Sequence, residues 1–381
     1  MEAVRQWLRT TDGQLVGLTL LVKAFLFAWG LVMVALVHDH PVDFGEVFSI
    51  WNRWDAPHYL DVALFGYTNY DPGNLPMYSK LGDLDLFIVF YPLFPWATAV
   101  GLAFLPELVA PIMVSAIASV AAVLLLYRLV AREFGERIGK RAAVFMLIFP
   151  TAYFLHIGYT ESLFLALVLG SFLAARTDRW WLAGILGGLA ALTRVNGLIL
   201  IPALAAEAWL QWARDGRWRV AWAGIGLVAV GFGGYLLVNY AVYGNPIEFL
   251  RIQNEHWFKA LAWPWEGIGG VFGWLENDEA ENVVMYGVTE LAAIGLGLAG
   301  TVVAAFRFRP GWFTWMAGNW LLFVGTSFVL SVPRYTLTMF PLFAWFAQLA
   351  ERRWLGLVLG GVSAALLLWF SARFATGAWA F

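Results

Sequence analysis

Apolar stretches of membrane-spanning length recur along this chain. Crossing the hydrocarbon of a bilayer takes about 20 predominantly apolar residues. About eleven stretches approach or reach that length, at 15–37, 109–130, 142–155, 161–175, 180–192, 197–212, 220–240, 284–306, 312–330, 335–349 and 354–374. Only 13% of the residues are charged, whereas soluble domains carry about 25%. The sequence therefore predicts an all-α integral membrane protein.

Clusters of lysine and arginine set the expected orientation of these spans. The clusters are Arg5 with Arg9; Arg128, Arg132, Arg137, Lys140 and Arg141; Arg176 with Arg179; Arg214, Arg217 and Arg219; Arg307 with Arg309; and Arg352 with Arg353. All of them fall on one side if the apolar stretch 86–105, which Pro92 and Pro95 interrupt, is re-entrant or interfacial. Because basic loops stay in the cytoplasm, we expect a multi-pass cell-membrane protein with a cytoplasmic N-terminus.

Two long segments then lie on the extracytoplasmic face, at about 38–108 and 242–282. Together they carry most of the acids of that face, and within the first segment residues 46–65 have the apolar spacing of a helix that lies on the membrane surface. Asp61 is expected to face solvent there. The sequence contains no internal repeat, low-complexity tract or soluble domain, so we predict one membrane domain over 1–381. The net charge of −2 argues against a nucleic-acid partner, and the absence of cysteine excludes disulfides and thiolate metal sites.

Few basic residues remain on the extracytoplasmic face. They are Arg53, Lys80, Arg194, Arg251, Lys259, Arg334 and Arg373. Arg194 and Arg334 stand at the ends of predicted spans, where the forked guanidinium suits a phosphate or a carboxylate. The alternatives are that each arginine reaches the lipid head groups or pairs with an acid of a loop.

The densest polar cluster is the segment 51–59, WNRWDAPHY, which contains Arg53, Trp54, Asp55 and His58. A carboxylate at a membrane interface can act as a general base toward a hydroxyl, because it is partly desolvated and still reaches a substrate. His58 can orient a substrate or donate a hydrogen bond to it. Alternatively, Asp55 pairs with Arg53 or caps a helix, and His58 makes a structural hydrogen bond.

Two further segments gather polar and aromatic side chains on the same face. The candidates are His156, Tyr159 and Glu161 in the first and Gln253 and His256 in the second. Either set can line a sugar-sized polar pocket. A helix start with an acid in its first turn explains Glu161 equally well, and an amphipathic loop helix explains the second set.

Five short motifs follow one another along nearly the whole chain. They are WD-x-x-HY at 54–59 with GY at 66–67, FYPLFP at 90–95, YTESLF at 159–164, TR-x-NG at 193–197 and PRY at 333–335. No single motif is specific. In this order, however, they resemble the PIG-V-like mannosyltransferases of the GT-C superfamily, whose members use polyprenyl-phosphate-linked sugars. The usage of alanine, glycine, tryptophan and arginine suggests a bacterial member.

The resemblance implies a GT-C-like bundle that moves a sugar, typically mannose, with inversion from a polyprenyl-phosphate donor to a hydroxyl of a glycolipid or glycan acceptor. In that superfamily an acid of the first outer loop acts as the catalytic base or positions the acceptor, and the matching residue is Asp55. Arg194 and Arg334 match in motif and are expected to bind the donor phosphate. Asn196 and Tyr335, in the same two motifs, become substrate-binding candidates. The sequence requires no cofactor and leaves a divalent metal open.

A transporter or flippase of lipid-linked or small polar solutes is the alternative function. It would need charges near the bilayer midplane and broken helices in two repeated halves, whereas this chain puts its charges at one face and shows no repeat. A non-catalytic scaffold gives no reason for arginines at the outer ends of spans. We therefore expect a membrane glycosyltransferase whose partners are a lipid-linked sugar donor, a glycolipid or glycan acceptor and membrane lipids, with no nucleic acid.

Overall fold

The computed structural model describes residues 10–38, 44–68 and 84–381. Within these ranges the chain is helical, and a single bridge between Leu261 and Thr326 is the only β-type pairing. The α-helices are α1 (Thr11–His38), α2 (Asp55–Phe65), α3 (Leu93–Leu102), α4 (Val109–Phe134), α5 (Glu136–Leu147), α6 (Glu161–Arg176), α7 (Trp180–Thr193), α8 (Leu200–Asp215), α9 (Gly226–Tyr243), α10 (Glu248–Trp257), α11 (Pro264–Gly273), α12 (Ala280–Asn282), α13 (Thr289–Arg307), α14 (Pro310–Val324), α15 (Val332–Thr336), α16 (Pro341–Leu349) and α17 (Arg353–Thr376). Short 3-10 helices occupy Phe44–Val47, Ser49–Trp51, Leu84–Val89, Ala152–Leu155, Val195–Ile199, Val220–Ile225 and Trp274–Glu276, and a π-helical turn, Val283–Val288, joins α12 to α13. The predicted all-α class is confirmed.

Five helical segments are long and apolar enough to cross a membrane. They are Thr11–His38, Val109–Phe134, Val220–Tyr243, Ala280–Arg307 and Arg353–Thr376. The chain thus has the helices of a multi-pass membrane protein. The full number of spans and their orientation stay predictions, and Arg5 and Arg9, on which the orientation depends, lie outside the described residues.

The remaining predicted spans are shorter helices, of 9 residues in α16 and 16 in α6, for example. Proline explains two of them. The predicted span 142–155 stops at Leu147, three residues before Pro150, and the predicted span 335–349 begins as a continuous helix only at Pro341. A proline removes a backbone donor and disfavours helical geometry in the residue before it, so neither stretch forms one long helix.

The predicted surface helix 46–65 is divided. Single 3-10 turns at Phe44–Val47 and Ser49–Trp51 precede α2, because Trp54 adopts a positive φ (58°) that an α-helix cannot accommodate. Asp61 is buried, with 1% of its surface exposed, so the expectation that it faces solvent is wrong. α2 begins directly after this turn, and its first residue, Asp55, contacts the buried side chains of Tyr159 and Arg334.

Glycines bring α7 and α9 into close contact. A Cβ added to Gly188 would lie 2.6 Å from the carbonyl oxygen of Leu227, and one added to Gly231 would lie 2.1 Å from the carbonyl oxygen of Gly188. Gly184, four residues before Gly188, meets the same neighbouring segment. Small residues four apart allow apolar helices to pack backbone to backbone. This contact fixes the C-terminal end of α7, after which Arg194 follows.

Candidate active site

Four charged side chains from distant parts of the chain form one hydrogen-bonded cluster. Arg334 donates from Nε to Oε1 of Glu161 at 2.6 Å and from Nη1 to Oδ2 of Asp55 at 2.6 Å. Arg194 donates from Nη1 to the same Oε1 of Glu161 at 2.5 Å. Ionised partners at these distances form strong hydrogen bonds. Three of the principal sequence candidates, Asp55, Arg194 and Arg334, therefore meet through Glu161.

Burial within this cluster is uneven. The side chain of Glu161 is fully buried, and those of Arg334 and Arg194 are 5% and 15% exposed, whereas that of Asp55 is 36% exposed. Only Oδ2 of Asp55 contacts Arg334, and within the described chain Oδ1 accepts no hydrogen bond. Asp55 is thus the member of the cluster that a molecule from outside can reach.

The backbone around Asp55 holds its carboxylate in place. Asp55 is the first residue of α2, and Trp54 before it has the positive φ that sets the direction of the turn. The hydroxyl of Tyr159 accepts a hydrogen bond from the Asp55 N–H at 3.1 Å and donates one to the carbonyl of Arg53 at 2.9 Å. Because the N-terminal end of a helix favours negative charge, this position stabilises the ionised carboxylate.

The protonation states of Asp55 and His58 follow from their surroundings. Burial raises the pKa of the Asp55 carboxyl, but the ion pair and hydrogen bond from Arg334, together with His58 and Arg194, lower it by more, so that it lies below the usual 3.8. Burial lowers the pKa of His58 below the usual 6.5, and the nearby Asp55 opposes this only in part. Near neutral pH, Asp55 is therefore a carboxylate and His58 a neutral imidazole.

The imidazole of His58 lies one helical turn after Asp55 on α2. Its ring packs at 4.3 Å against that of Phe87 and at 5.3 Å against that of Phe90. The Nδ1 atom of His58 is buried and has no hydrogen-bond partner in the part of the chain that the structure describes. A neutral imidazole has one nitrogen that donates and one that accepts a hydrogen bond, and the ring of His58 lies near the carboxylate of Asp55.

Two side chains hold the backbone of the short helix that carries Arg334. Glu290 accepts hydrogen bonds from the N–H groups of Ser331 at 2.6 Å and Val332 at 2.8 Å, and so caps the start of α15. The hydroxyl of Thr151 donates to the carbonyl of Pro333 at 2.9 Å. These contacts fix the short helix that carries Arg334.

Aromatic rings complete the surroundings of Arg334. Its guanidinium carbon lies 4.5 Å from the ring centroid of Tyr159 and 4.9 Å from that of Phe154. Both rings are fully buried, and cation–π attraction strengthens when the cation is desolvated. Arg334 is thus fixed by two carboxylates and two aromatic rings.

A third cation, Lys259, adjoins the cluster through Tyr335. The ammonium of Lys259 lies 3.2 Å from the Tyr335 hydroxyl and 5.2 Å from the ring centroid, and the guanidinium carbon of Arg194 lies 5.3 Å from the same ring. Lys259 also donates to the carbonyl of Leu330 at 3.4 Å. Among the described residues no carboxylate lies within ion-pair distance of Lys259. Glu290 interacts electrostatically with Lys259, so the cations Arg194, Arg334 and Lys259 lie among three acids. Lys259 is the one of these three cations that no carboxylate of the described residues contacts directly.

Several predicted site residues lie outside the cluster. Arg53 donates to the carbonyl of Ile50 at 3.0 Å and packs its guanidinium against Gly377 at the end of α17. Asn196 is buried and donates to Asn319 at 2.8 Å. These two side chains have structural partners instead of facing the open side of Asp55.

Four further candidates also lie apart from the charged cluster. Trp54 is 41% exposed and packs edge-to-face against Trp379. His156 is fully buried, and neither ring nitrogen has a hydrogen-bond partner among the described residues. Gln253 and His256 lie on α10, with His256 exposed. The structure thus groups Asp55, Tyr159, Glu161, Arg194, Arg334 and Tyr335, with His58 beside them.

Glu290 and Lys259 are the site residues that the sequence reasoning missed. Glu290 stands inside a predicted span at 284–306, and an acid within a span is itself a sign of function. Lys259 was among the outer basic residues, but nothing in its own segment distinguished it. Within 10–38, 44–68 and 84–381, no group of three or more histidine and acidic side chains is arranged to hold a metal ion.

Comparison with known proteins gives one family match. Residues 91–237 match the family described as dolichyl-phosphate-mannose-protein mannosyltransferase. The matched segment is less than half of the chain; it includes Glu161 and Arg194 and excludes Asp55 and Arg334. No curated protein matches the sequence.

Two solved structures that align with most of this chain are of larger proteins. ArnT from Cupriavidus metallidurans, in a structure with undecaprenyl phosphate bound, is 18% identical with a TM-score of 0.49, and the match covers 91% of this chain and 60% of ArnT. The oligosaccharyltransferase of Archaeoglobus fulgidus, tethered to an acceptor peptide, is 15% identical with a TM-score of 0.47, over 98% of this chain and 56% of that protein. This chain therefore spans little more than half the length of these proteins.

Proposed function

We propose that the protein is an inverting glycosyltransferase of the GT-C type. In this proposal it moves mannose from a polyprenyl-phosphate donor to a hydroxyl of a glycolipid or glycan acceptor on the extracytoplasmic face. The observation that carries the proposal is the accessible carboxylate of Asp55, which is ionised, held by Arg334 through one oxygen and open at the other. A general base needs this combination of fixed orientation and a free acceptor atom.

Two independent observations support sugar transfer from a lipid phosphate. The matched family is described as using dolichyl-phosphate-mannose, and the match includes Glu161 and Arg194. The site also contains Lys259, a part-buried cation that no carboxylate of the described residues contacts, and an anionic group is attracted to such a cation more strongly than in water. The charged cluster thus suits a substrate that brings its own phosphate.

The mechanism follows from the open oxygen of Asp55. Oδ1 accepts the proton of the acceptor hydroxyl while the hydroxyl oxygen attacks C1 of the sugar from the face opposite the phosphate. The bond between C1 and the phosphate oxygen breaks, and its electron pair leaves with the lipid phosphate. Attack from the opposite face inverts the configuration at C1. His58, neutral and one turn away, orients the acceptor or a sugar hydroxyl.

The departing phosphate needs positive charge that the protein has not already neutralised. Arg334 already binds two carboxylates, and Arg194 binds Glu161 and the hydroxyl of Thr160. Lys259 binds only a carbonyl and a hydroxyl. We therefore propose that Lys259 and Arg194 bind the donor phosphate. Arg334 orients Asp55 and adds to the positive electrostatic potential of the site. Positive groups fixed before the reaction stabilise charge that develops in the transition state.

The test is transfer of labelled mannose from polyprenyl-phosphate mannose by the purified protein. Asp55→Asn preserves the shape of the side chain and removes the base, so we expect transfer to fall by about 10²- to 10⁴-fold. Glu266→Gln, at an exposed position of α11, is the control and should retain activity. An Asp55→Asn protein that is folded and fully active would refute the base assignment.

The phosphate assignment has its own variant and control. Lys259→Gln should lower kcat/KM for the donor by about 10- to 100-fold, since a charge-assisted contact to phosphate contributes about 1.5–3 kcal/mol. Arg251→Gln removes a neighbouring cation that already pairs with Glu248 and Glu255, and should leave kcat/KM unchanged. Equal losses in both variants would instead indicate a general effect of charge. No transfer from any lipid-linked sugar, together with solute uptake into liposomes, would favour the transporter.

A further inference from the structure

A second charged site lies between the start of α5 and the start of α17. It is an open groove of about 400 Å³ lined by Arg137 and Arg141 from α5 and by Glu351 and Arg353 at the beginning of α17. Its floor is apolar and includes Phe145. A groove with charged walls and an apolar floor suits an amphipathic ligand.

The charge of this groove is not balanced by the protein. Three arginines face one glutamate, and among the described residues none of the four has an ion-pair partner within 4 Å. The Nη1 atom of Arg141 is buried, and no described residue accepts a hydrogen bond from it. A buried guanidinium donor without an acceptor is unfavourable, so an anionic ligand with several oxygens would stabilise this arrangement.

The groove lies at the end of the bundle opposite the Asp55 cluster. α17 starts at the groove with Arg353 and runs for 24 residues, which corresponds to about 36 Å at 1.5 Å per residue. At its other end, Gly377 packs against Arg53, two residues before Asp55. Since the hydrocarbon core of a bilayer is about 30 Å thick, the two sites belong to opposite interfaces.

Apolar surface continues from the groove along α17 toward the middle of the bundle. Leu357, Val358 and Val362 are 68%, 53% and 55% exposed, and Val144 of α5 is 37% exposed. Acyl chains lie on such surface within a bilayer, while a head group stays at the interface. The arrangement of cations at the end and apolar side chains beyond it corresponds to the two parts of a phospholipid.

We propose that this groove binds the head group of an anionic phospholipid. The phosphodiester lies among Arg137, Arg141 and Arg353, where guanidinium groups offer paired donors to phosphate oxygens. Basic pockets between membrane helices bind anionic head groups in this way. The acyl chains lie along the exposed face of α17. This site does not depend on the proposed function, and its ligand is a bound lipid instead of a reactant.

The test compares phosphatidylglycerol with phosphatidylcholine. The full-length protein in neutral detergent is titrated with each lipid, and bound lipid is counted by native mass spectrometry. We expect phosphatidylglycerol to bind at least about tenfold more tightly, and the triple variant R137Q/R141Q/R353Q to abolish that preference. The matched control, R132Q/R217Q/R352Q, removes the same charge from three exposed arginines that do not line the groove, and should retain the preference.

Each alternative outcome contradicts the proposal. Equal binding of the two lipids, or equal losses in the triple variant and its control, would show that the groove does not select a head group. Displacement of phosphatidylglycerol by millimolar inorganic phosphate would indicate a soluble anion site instead of a lipid site. If the triple variant does not fold, R141Q alone serves, because Arg141 provides the buried donor; unchanged lipid preference in folded R141Q would likewise overturn the proposal.

Discussion

Replacing Glu161 with glutamine should destabilise the protein and disable the site together. Oε1 of Glu161 accepts from both Arg194 and Arg334, and the side chain is fully buried. Hydrogen bonds to a charged group contribute about 1.5–3 kcal/mol each and neutral ones about 0.5–1.5 kcal/mol. Because glutamine retains the Oε1 acceptor, each bond should weaken by about 1–1.5 kcal/mol. The two bonds together predict a loss of about 2–3 kcal/mol.

The remaining charges add to this loss. With Glu161 neutral, Asp55 is the only carboxylate left for two guanidiniums that are 5% and 15% exposed. Removing one partner of a buried ion pair destabilises by about 3–5 kcal/mol when nothing replaces it. Glutamine replaces part of the interaction, so we expect a total loss of about 2–4 kcal/mol. Transfer activity should fall as well, because Arg334 then lacks the contact that orients it toward Asp55.

The assay is reversible unfolding in mixed detergent micelles, followed by the fluorescence of the 22 tryptophans. Glu248→Gln is the control, since its carboxylate binds the exposed Arg251 on the surface, and we expect no measurable change. Adding Arg194→Gln to Glu161→Gln should cost less than the sum of the two single variants, with a coupling of more than about 1 kcal/mol. A Glu161→Gln protein within about 0.5 kcal/mol of the parent, or strictly additive variants, would refute the reasoning.

Three further predictions concern the same end of the bundle. The pKa of Asp55 in the folded protein lies below the usual 3.8, so its ionised carboxylate stabilises the fold above pH 3.8. This stabilisation is lost as the pH falls through the folded-state pKa. The unfolding midpoint of Asp55→Asn should therefore depend less on pH below about 4 than that of the parent protein. Burial holds the pKa of His156 well below 6.5, so the free energy of unfolding falls as the pH drops below 6.5. His156→Leu should reduce this pH dependence to the part that is due to His58. At pH 8 the same substitution should change stability by less than about 1 kcal/mol. Gly188→Leu should separate α7 from α9 and lower both the thermal midpoint and transfer activity, whereas Gly361→Leu, which meets no atom within 4 Å of its Cβ, should change neither.

The helical class was predictable from the sequence because it depends on composition and on the length of apolar stretches. The lengths of individual helices were less predictable. Pro150 and Pro341 lie within predicted spans, and their effect depends on whether tertiary contacts can stabilise an interrupted helix. Trp54 is a stronger case, since nothing in the residue type indicates a positive φ. Contacts formed later in the chain, including that between Asp55 and Tyr159, stabilise this conformation.

The members of the candidate site were predictable as residue types, but their pairing was not. Asp55 and Arg334 are 279 positions apart, and the sequence offered Arg53 as a nearer partner for the same carboxylate. Two tertiary contacts decide which cation pairs with Asp55. They are the packing of α2 against the turn before α6 and the cap that Glu290 places on α15. Propensity and periodicity carry no information about such contacts.

The proposed phosphate-binding residues include Lys259 because Arg194 and Arg334 form ion pairs with Glu161 and Asp55. On sequence, Arg194 and Arg334 were favoured because a guanidinium binds phosphate with two donors. Both, however, already bind carboxylates, so an incoming phosphate must either displace Glu161 and Asp55 or use the charge that remains. Displacement would remove the contact that orients Asp55, the proposed base, whereas Lys259 can bind phosphate while that contact stays intact. The proposed roles, with Arg334 holding Asp55 and Lys259 binding the phosphate together with Arg194, therefore follow from which donors the carboxylates already occupy.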